Sequence, residues 1–149
     1  MGLLEKMKYN FCDQKEKIIN SHLKNLFSIA YADGNMENIE FEYILSVADR
    51  LYINRHDVRE LHSTLEDIPF CIPKNENQRI DQIYDMISLC IVDGKLDNNE
   101  ILCCKKIFIE FGYKPVVFEL VLAKILDSVN DKLLKEIALN TIKKIIKNN

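Results

Sequence analysis

The sequence predicts an all-α protein, a helical bundle of about seven to eight helices built on a duplicated three-helix unit. Apolar residues recur at three- and four-residue steps along most of the chain, and no segment shows a sustained period of two. Only four glycines and three prolines interrupt the 149 residues, too few for a fold rich in tight turns. Because 48% of the residues are apolar, we expect residues 1–149 to form a single domain around one core.

Seven apolar stripes set the order of the predicted helices. Asn54 with Asp57, and Asn75 with Gln78, have the spacing of capping boxes and predict two helix starts. Pro115 suits the first turn of the sixth helix, where its missing N–H costs nothing. The stripes lie within residues 23–31, 43–51, 58–65, 80–91, 104–111, 118–125 and 134–145.

The chain divides at one irregular stretch, residues 67–74, which contains Pro69 and Pro73. The stripes on either side of it match at an offset of 60 residues. We interpret the match as two pseudo-repeats near residues 20–66 and 76–128, with the terminal helices packed across them. Five aligned positions are identical: Ser28 and Ser88, Asp33 and Asp93, Gly34 and Gly94, Asn38 and Asn98, Glu40 and Glu100.

Charge and motif content exclude several functional classes. The net charge of −3 argues against a nucleic-acid binder, whose affinity depends on neutralising phosphates. The sequence contains no G-x-S-x-G motif, Walker loop or dinucleotide fingerprint, and no nucleophile stands beside a base. We therefore expect a protein that is not an enzyme.

The five cysteines show no disulfide-like spacing, and we expect all of them to be reduced core or rim residues. The first residues are too charged for a signal peptide, and no apolar run approaches the length of a membrane span. Together these features predict a cytoplasmic protein. The cysteines are Cys12, Cys71, Cys90, Cys103 and Cys104.

One repeated motif carries candidate chemistry, Asp-Gly followed by Glu six residues after the Gly. Gly34 and Gly94 suit the left-handed position just past a helix end. Asp33 and Asp93 are predicted in the last turn of a helix, where the helix dipole disfavours a carboxylate. Carboxylates there, joined by a glutamate of the next helix, form an all-oxygen site for Mg²⁺ or Ca²⁺. The predicted metal ligands are Asp33, Glu40, Asp93 and Glu100, and the alternative is a purely structural role in the turns.

The motif overlaps half of an EF-hand loop but does not complete one. The earlier ligand positions would fall on Ile29 and Tyr31 in one copy and on Leu89 and Ile91 in the other. These side chains offer no suitable oxygen ligands, so an EF-hand is excluded.

The two helix, Asp-Gly turn and Glu-helix units, in an all-helical chain of 149 residues, resemble the TerB-like family of tellurite-resistance proteins. The family fold is similar to the N-terminal domain of the membrane co-chaperone DjlA, and the resemblance covers residues 20–128. It implies a cluster of acidic side chains with a divalent-metal site and a stress-response role. It also implies calcium-binding TerD-type protein partners. Cys90 and Val92 depart from the family, whose members are Ala-rich before the second Asp-Gly.

The remaining candidates favour ordinary structural roles. His22, His56 and His62 share no i, i+4 spacing with each other or with a cysteine, so we expect surface or capping histidines and no zinc site. The lysines of the last helix follow from its dipole, and docking to a membrane surface is the weaker interpretation. They are Lys132, Lys135, Lys143, Lys144 and Lys147. The alternative to a cation-binding module is a metal-free helical adaptor.

Overall fold

The computed structural model describes residues 11–129 and 135–149, and in this part of the chain the fold is all-α. Two short parallel strands, β1 and β2, and one 3₁₀ turn, Leu65–Asp67, accompany the helices. The predicted fold class is confirmed. The helices are α1 (Lys15–Ala30), α2 (Asn38–Arg50), α3 (Arg55–Ser63), α4 (Glu76–Ile91), α5 (Asn98–Glu110), α6 (Pro115–Val129) and α7 (Lys135–Asn148), and the strands are β1 (Phe11–Cys12) and β2 (Ile72–Pro73).

The helix starts follow the predicted capping residues. The N–H of Asp57 donates to Oδ1 of Asn54 at 2.8 Å, and the N–H of Gln78 donates to Oδ1 of Asn75 at 3.1 Å. Each bond satisfies one of the amides that a first helical turn leaves without a partner. Helix α6 begins at Pro115, as expected.

Helices α1 and α4 form the centre of the bundle. They pack against each other, and α1 also packs against α2 and α5, while α7 crosses α4 and α6. Phe27, Phe108 and Phe118 are fully buried in one continuous core that draws on both halves of the chain. Truncating one of these rings to alanine costs about 3–5 kcal/mol in comparable cores.

The two halves share several local features. Helices α1 and α4 each have 16 residues, and α2 and α5 each have 13. Val58 and Phe118, which match at the offset of 60, are both fully buried, whereas Leu61 is half-buried and its counterpart Val121 is fully buried. Helix α3 has 9 residues against 15 in α6. The duplication therefore stays a prediction.

A line of polar side chains is buried where α1 meets α4. His22, Asn25, Gln82 and Asp85 are each no more than 6% exposed. The prediction of a surface or capping role for His22 is wrong, because Asp85 lies opposite it at 2.9 Å and satisfies its Nε2 atom inside the core. No periodicity reveals this pairing, since the two residues are 63 positions apart.

Strands β1 and β2 bring Cys12 and Cys71 into a disulfide, with their Cα atoms 5.9 Å apart. Ser21 fixes the second cysteine: its hydroxyl accepts the Cys71 N–H at 2.9 Å and donates to the Cys71 carbonyl at 3.3 Å. The expectation that all five cysteines are reduced is therefore wrong for Cys12 and Cys71. Helix periodicity could not reveal a contact that depends on pairing two strands 59 residues apart.

The lysines of α7 serve partly to attach that helix to α4. Lys135 pairs with Asp81 at 3.1 Å, and Lys143 donates to Asn77 at 3.1 Å. Lys132 lies outside the described residues. Among the helices that the structure describes, none combines the length and apolar content that crossing a bilayer requires.

We expect the native protein to contain three free thiols, those of Cys90, Cys103 and Cys104. Thiol titration under denaturing, non-reducing conditions measures this number. Reduction, or Cys12→Ser, should lower the free energy of unfolding by about 2–5 kcal/mol, since the disulfide closes a long loop in the unfolded chain. Cys103→Ser is the control and should leave the disulfide intact. A titration of five thiols in the native chain would contradict the pairing.

Candidate metal centre

Both Asp-Gly turns begin where a glycine allows the chain to leave a helix. Gly34 has φ of 93° and Gly94 has φ of 77°, the left-handed region that side chains other than glycine rarely adopt. The Gly34 N–H donates to the Tyr31 carbonyl at 2.8 Å, and the Gly94 N–H donates to the Ile91 carbonyl at 3.0 Å. These bonds end the two helices in the same way, as their shared motif predicts.

The two aspartates lie beyond the helix ends and not in the last turns, because α1 ends at Ala30 and α4 ends at Ile91. Oδ1 of Asp33 accepts the Asn35 N–H at 3.0 Å, and Oδ1 of Asp93 accepts the Lys95 N–H at 2.9 Å. One oxygen of each carboxylate therefore stabilises its own turn. This bond gives each aspartate a structural role in its turn, which is the alternative interpretation of the motif.

The first turn meets the start of α5. Asp33, Asp97 and Glu100 each offer a carboxylate oxygen, and these three oxygens lie within 4.8 Å of one another. Two oxygens that bind the same Ca²⁺ at 2.3–2.6 Å lie at most about 5 Å apart. Of the four predicted ligands, Asp33 and Glu100 are thus brought together with a third carboxylate, Asp97.

In the same way, the turn after α4 meets the start of α2. Glu37 is exposed, yet its pKa is raised. Partial desolvation is the largest cause, the charge and hydrogen bond of Asp93 also raise the pKa, and the charge of Lys95 lowers it. Glu40 adds a further negative charge beside Glu37. Asp93 therefore joins Glu37 and does not belong to the group formed by Asp33.

Glu40 and Glu100 are the buried carboxylates of the site, only 1% and 4% exposed. Oε1 of Glu40 accepts the Glu37 N–H at 2.9 Å, but Oε2 has no hydrogen-bond donor of suitable geometry among the described residues. Burial raises the pKa of Glu100 to about 9, together with the adjoining carboxyl of Glu40 and the nearby Cys90 and Asp33. Below that pH, Glu100 holds a proton unless a cation replaces it.

Sequence reasoning missed Glu37 and Asp97 as members of this site. Asp97 also caps α5, since its Oδ1 accepts the N–H groups of Asn99 at 2.8 Å and Glu100 at 3.1 Å. The offset of 60 residues pairs position 37 with position 97, so the repeat contained a signal for both. Whether Glu37 and Asp97 belong to the site depends on burial and on contacts between the two halves, and the repeat shows neither.

We call the six residues Asp33, Glu37, Glu40, Asp93, Asp97 and Glu100 the carboxylate cluster. None of the lysines and arginines in residues 11–129 and 135–149 forms an ion pair with it. Hard divalent cations take six to eight oxygen ligands, supplied by carboxylates, carbonyls and water. The cluster supplies such oxygens from two turns and two helix starts.

A second acidic group is fully exposed. His56, Asp57 and Glu60 lie within one turn of α3, where His56 and Glu60 pair at 3.1 Å. Because all three side chains are open to solvent and on one helix, this group lacks the burial that distinguishes the carboxylate cluster.

Comparisons with models of protein families, with curated proteins and with solved structures find no match to this chain. The TerB-like resemblance therefore stays a prediction that depends on the duplicated motif.

We expect the free energy of unfolding to fall as pH rises from about 4.5 to about 9 in the presence of a chelator. In that window the folded state keeps the Glu100 proton that the unfolded state has lost, so stability decreases by up to about 1.4 kcal/mol per pH unit. Glu100→Gln imitates the protonated form and should remove most of this decrease. Thermal unfolding between pH 5 and pH 9 measures the difference.

Glu110→Gln, an exposed change at the end of the same helix, is the control and should follow the parent curve. Parallel stability curves for the parent and Glu100→Gln would show that Glu100 does not titrate in this range.

Proposed function

We propose that this chain is a non-enzymatic, TerB-like stress-response module of the tellurite-resistance type, which binds a divalent cation through the carboxylate cluster and docks protein partners. The observation that carries the cation-binding proposal is the contact between Glu40 and Glu100. Two buried carboxyl groups adjoin each other, and no ion pair among the described residues neutralises either of them.

The energetic argument rests on the cost of burying charge. Removing a carboxylate from water costs several kcal/mol unless a counter-charge or hydrogen bonds replace the water. A proton on Glu100 is one solution and a cation is the other. A cation also lowers the repulsion between Asp33 and Asp97, which a proton on Glu100 leaves in place.

The donor set favours Mg²⁺ or Ca²⁺ over zinc. All six side chains offer oxygen, whereas structural zinc sites use cysteine and histidine. Asp33, Asp97 and Glu100 are the ligands with mutually suitable spacing, and Glu40 adjoins them. Glu37 and Asp93 add negative charge on the other side of Glu40.

The wider role rests on the family resemblance. A TerB-like module would act in the cytoplasm beside calcium-binding TerD-type partners, without catalysis. The disulfide between Cys12 and Cys71 is unusual for a reducing compartment.

The second candidate is the metal-free adaptor, which one observation favours. Oxygens of Asp33, Asp93 and Asp97 already accept backbone N–H groups, so a structural reason exists for each of these residues. Glu40 also accepts a backbone N–H through Oε1, but the burial of its carboxyl beside that of Glu100 supports the cation.

We expect millimolar Mg²⁺ or Ca²⁺ to raise the melting temperature of the parent protein above its value in chelator. A ligand at 100 times its Kd adds about 2.7 kcal/mol to stability, and each kcal/mol raises the melting temperature by about 2–4 °C in a chain of this size. Asp33→Asn should abolish the cation effect. It should leave the chelator value nearly unchanged, because the asparagine amide oxygen still accepts the Asn35 N–H.

Asp49→Asn is the matched control, since Asp49 is exposed near the end of α2 and lies outside the carboxylate cluster. It removes the same charge near a helix end and should keep the full cation effect. If neither Mg²⁺ nor Ca²⁺ changes the melting temperature of the parent, the adaptor function replaces this proposal.

A further inference from the structure

A cavity of about 180 Å³ opens between the first half of α1, the middle of α4 and the end of α2. Ile18, Ile19 and Leu51 supply its apolar wall. A water molecule occupies about 30 Å³ in the liquid, so the space suits a small organic molecule. It shares no residue with the carboxylate cluster.

Buried charges lie at the inner end of this cavity. Oδ2 of Asp85 contacts Nε2 of His22 at 2.9 Å and accepts a hydrogen bond from Nη2 of Arg50 at 2.5 Å. Burial raises the pKa of Asp85, but the hydrogen bonds and charges of His22 and Arg50 outweigh this and hold it below the ordinary value. Asp85 is therefore an anion at neutral pH, and its charge is balanced by Arg50.

Three buried polar atoms of the cavity lining have no hydrogen-bond partner among the described residues. They are Nδ1 of His22, Oε1 of Gln82 and Oδ1 of Asp85. The two oxygens can only accept, whereas Nδ1 of His22 donates or accepts according to the state of the ring. Two buried acceptors without a donor, those of Gln82 and Asp85, are costly in a folded core, and they define what a ligand must offer, an O–H or N–H group.

The outer part of the cavity offers cationic donors and therefore favours a ligand group that accepts hydrogen bonds. Lys15 lines it and forms no ion pair within the part of the chain that the structure describes. Asp81 also lines it, but its charge is paired with Lys135 at 3.1 Å. Arg50 is 40% exposed and directs only one of its N–H groups to Asp85. The remaining cationic donors at Lys15 and Arg50 suit a carboxylate.

We propose that this cavity binds a small organic acid that carries a hydroxyl or ammonium donor next to its carboxylate. The carboxylate lies between Lys15 and Arg50, and the donor group bonds to Gln82 and Asp85. A short apolar side chain packs against the wall of isoleucine and leucine. Neither the carboxylate cluster nor its cation takes part, so this inference is independent of the proposed function.

Three acids with the same carbon skeleton test the proposal on the full, disulfide-bonded chain: valine, 2-hydroxy-3-methylbutanoate and 3-methylbutanoate. The first two add an ammonium or a hydroxyl donor to the third. Calorimetric titration should show that at least one of the first two binds about tenfold more tightly than 3-methylbutanoate. A tenfold difference in affinity corresponds to the free energy of one good hydrogen bond to a charged group. Which of the two binds identifies the donor.

Two variants locate the binding. Lys15→Gln should weaken the preferred acid about tenfold, whereas Lys17→Gln, an exposed change on the same helix outside the cavity, should not. Gln82→Met removes one acceptor and should reduce the preference over 3-methylbutanoate. Equal affinity for all three acids, no binding at millimolar concentration, or full affinity in Lys15→Gln would each overturn the proposal.

Discussion

The packing of α1 against α4 is the constraint on which the rest of the molecule depends. Because α1 also packs against α5, and α4 against α2, each half of the chain is completed by a helix from the other half. The turn after α1 therefore delivers Asp33 to the start of α5, and the turn after α4 delivers Asp93 to the start of α2. The carboxylate cluster is a consequence of this crossing, since neither half assembles it alone.

The same interface is stabilised by apolar burial and specified by polar contacts. Leu23, Leu26 and Phe27 are fully buried on α1, and each contributes about 1.5–3 kcal/mol relative to an exposed position. The ion pair of Asp85 with Arg50 adds little net stability after desolvation, yet breaking it would strand a buried carboxylate. A sliding of α1 along α4 would separate His22 from Asp85, so the polar line penalises wrong registers more than it rewards the correct one.

Sequence reasoning predicted the helices well and the contacts between them poorly. The starts at Asn54, Asn75 and Pro115 depend on neighbouring residues, and local spacing reveals them. The disulfide at Cys12 and the burial of His22 depend on partners 59 and 63 positions away, for which periodicity has no signal. Sequence reasoning predicted the candidate site only in part. The repeated motif indicated four of its residues, but only the crossing of the halves shows that Asp33 and Asp93 belong to different groups.

The position of a residue along α1 and α4 decides which chemistry it supports. At the ends of these helices the turns bring six carboxylates together beside one lysine, Lys95, and the resulting negative field favours a divalent ion. Along the first half of α1, Lys15 and the neighbouring Arg50 of α2 lie beside buried acceptors and an apolar wall, an arrangement that favours an organic acid. An α-helix rises 1.5 Å per residue, so the eight residues from His22 to Ala30 separate the two environments by about 12 Å. The two sites also share no residue, so each has its own charge preference.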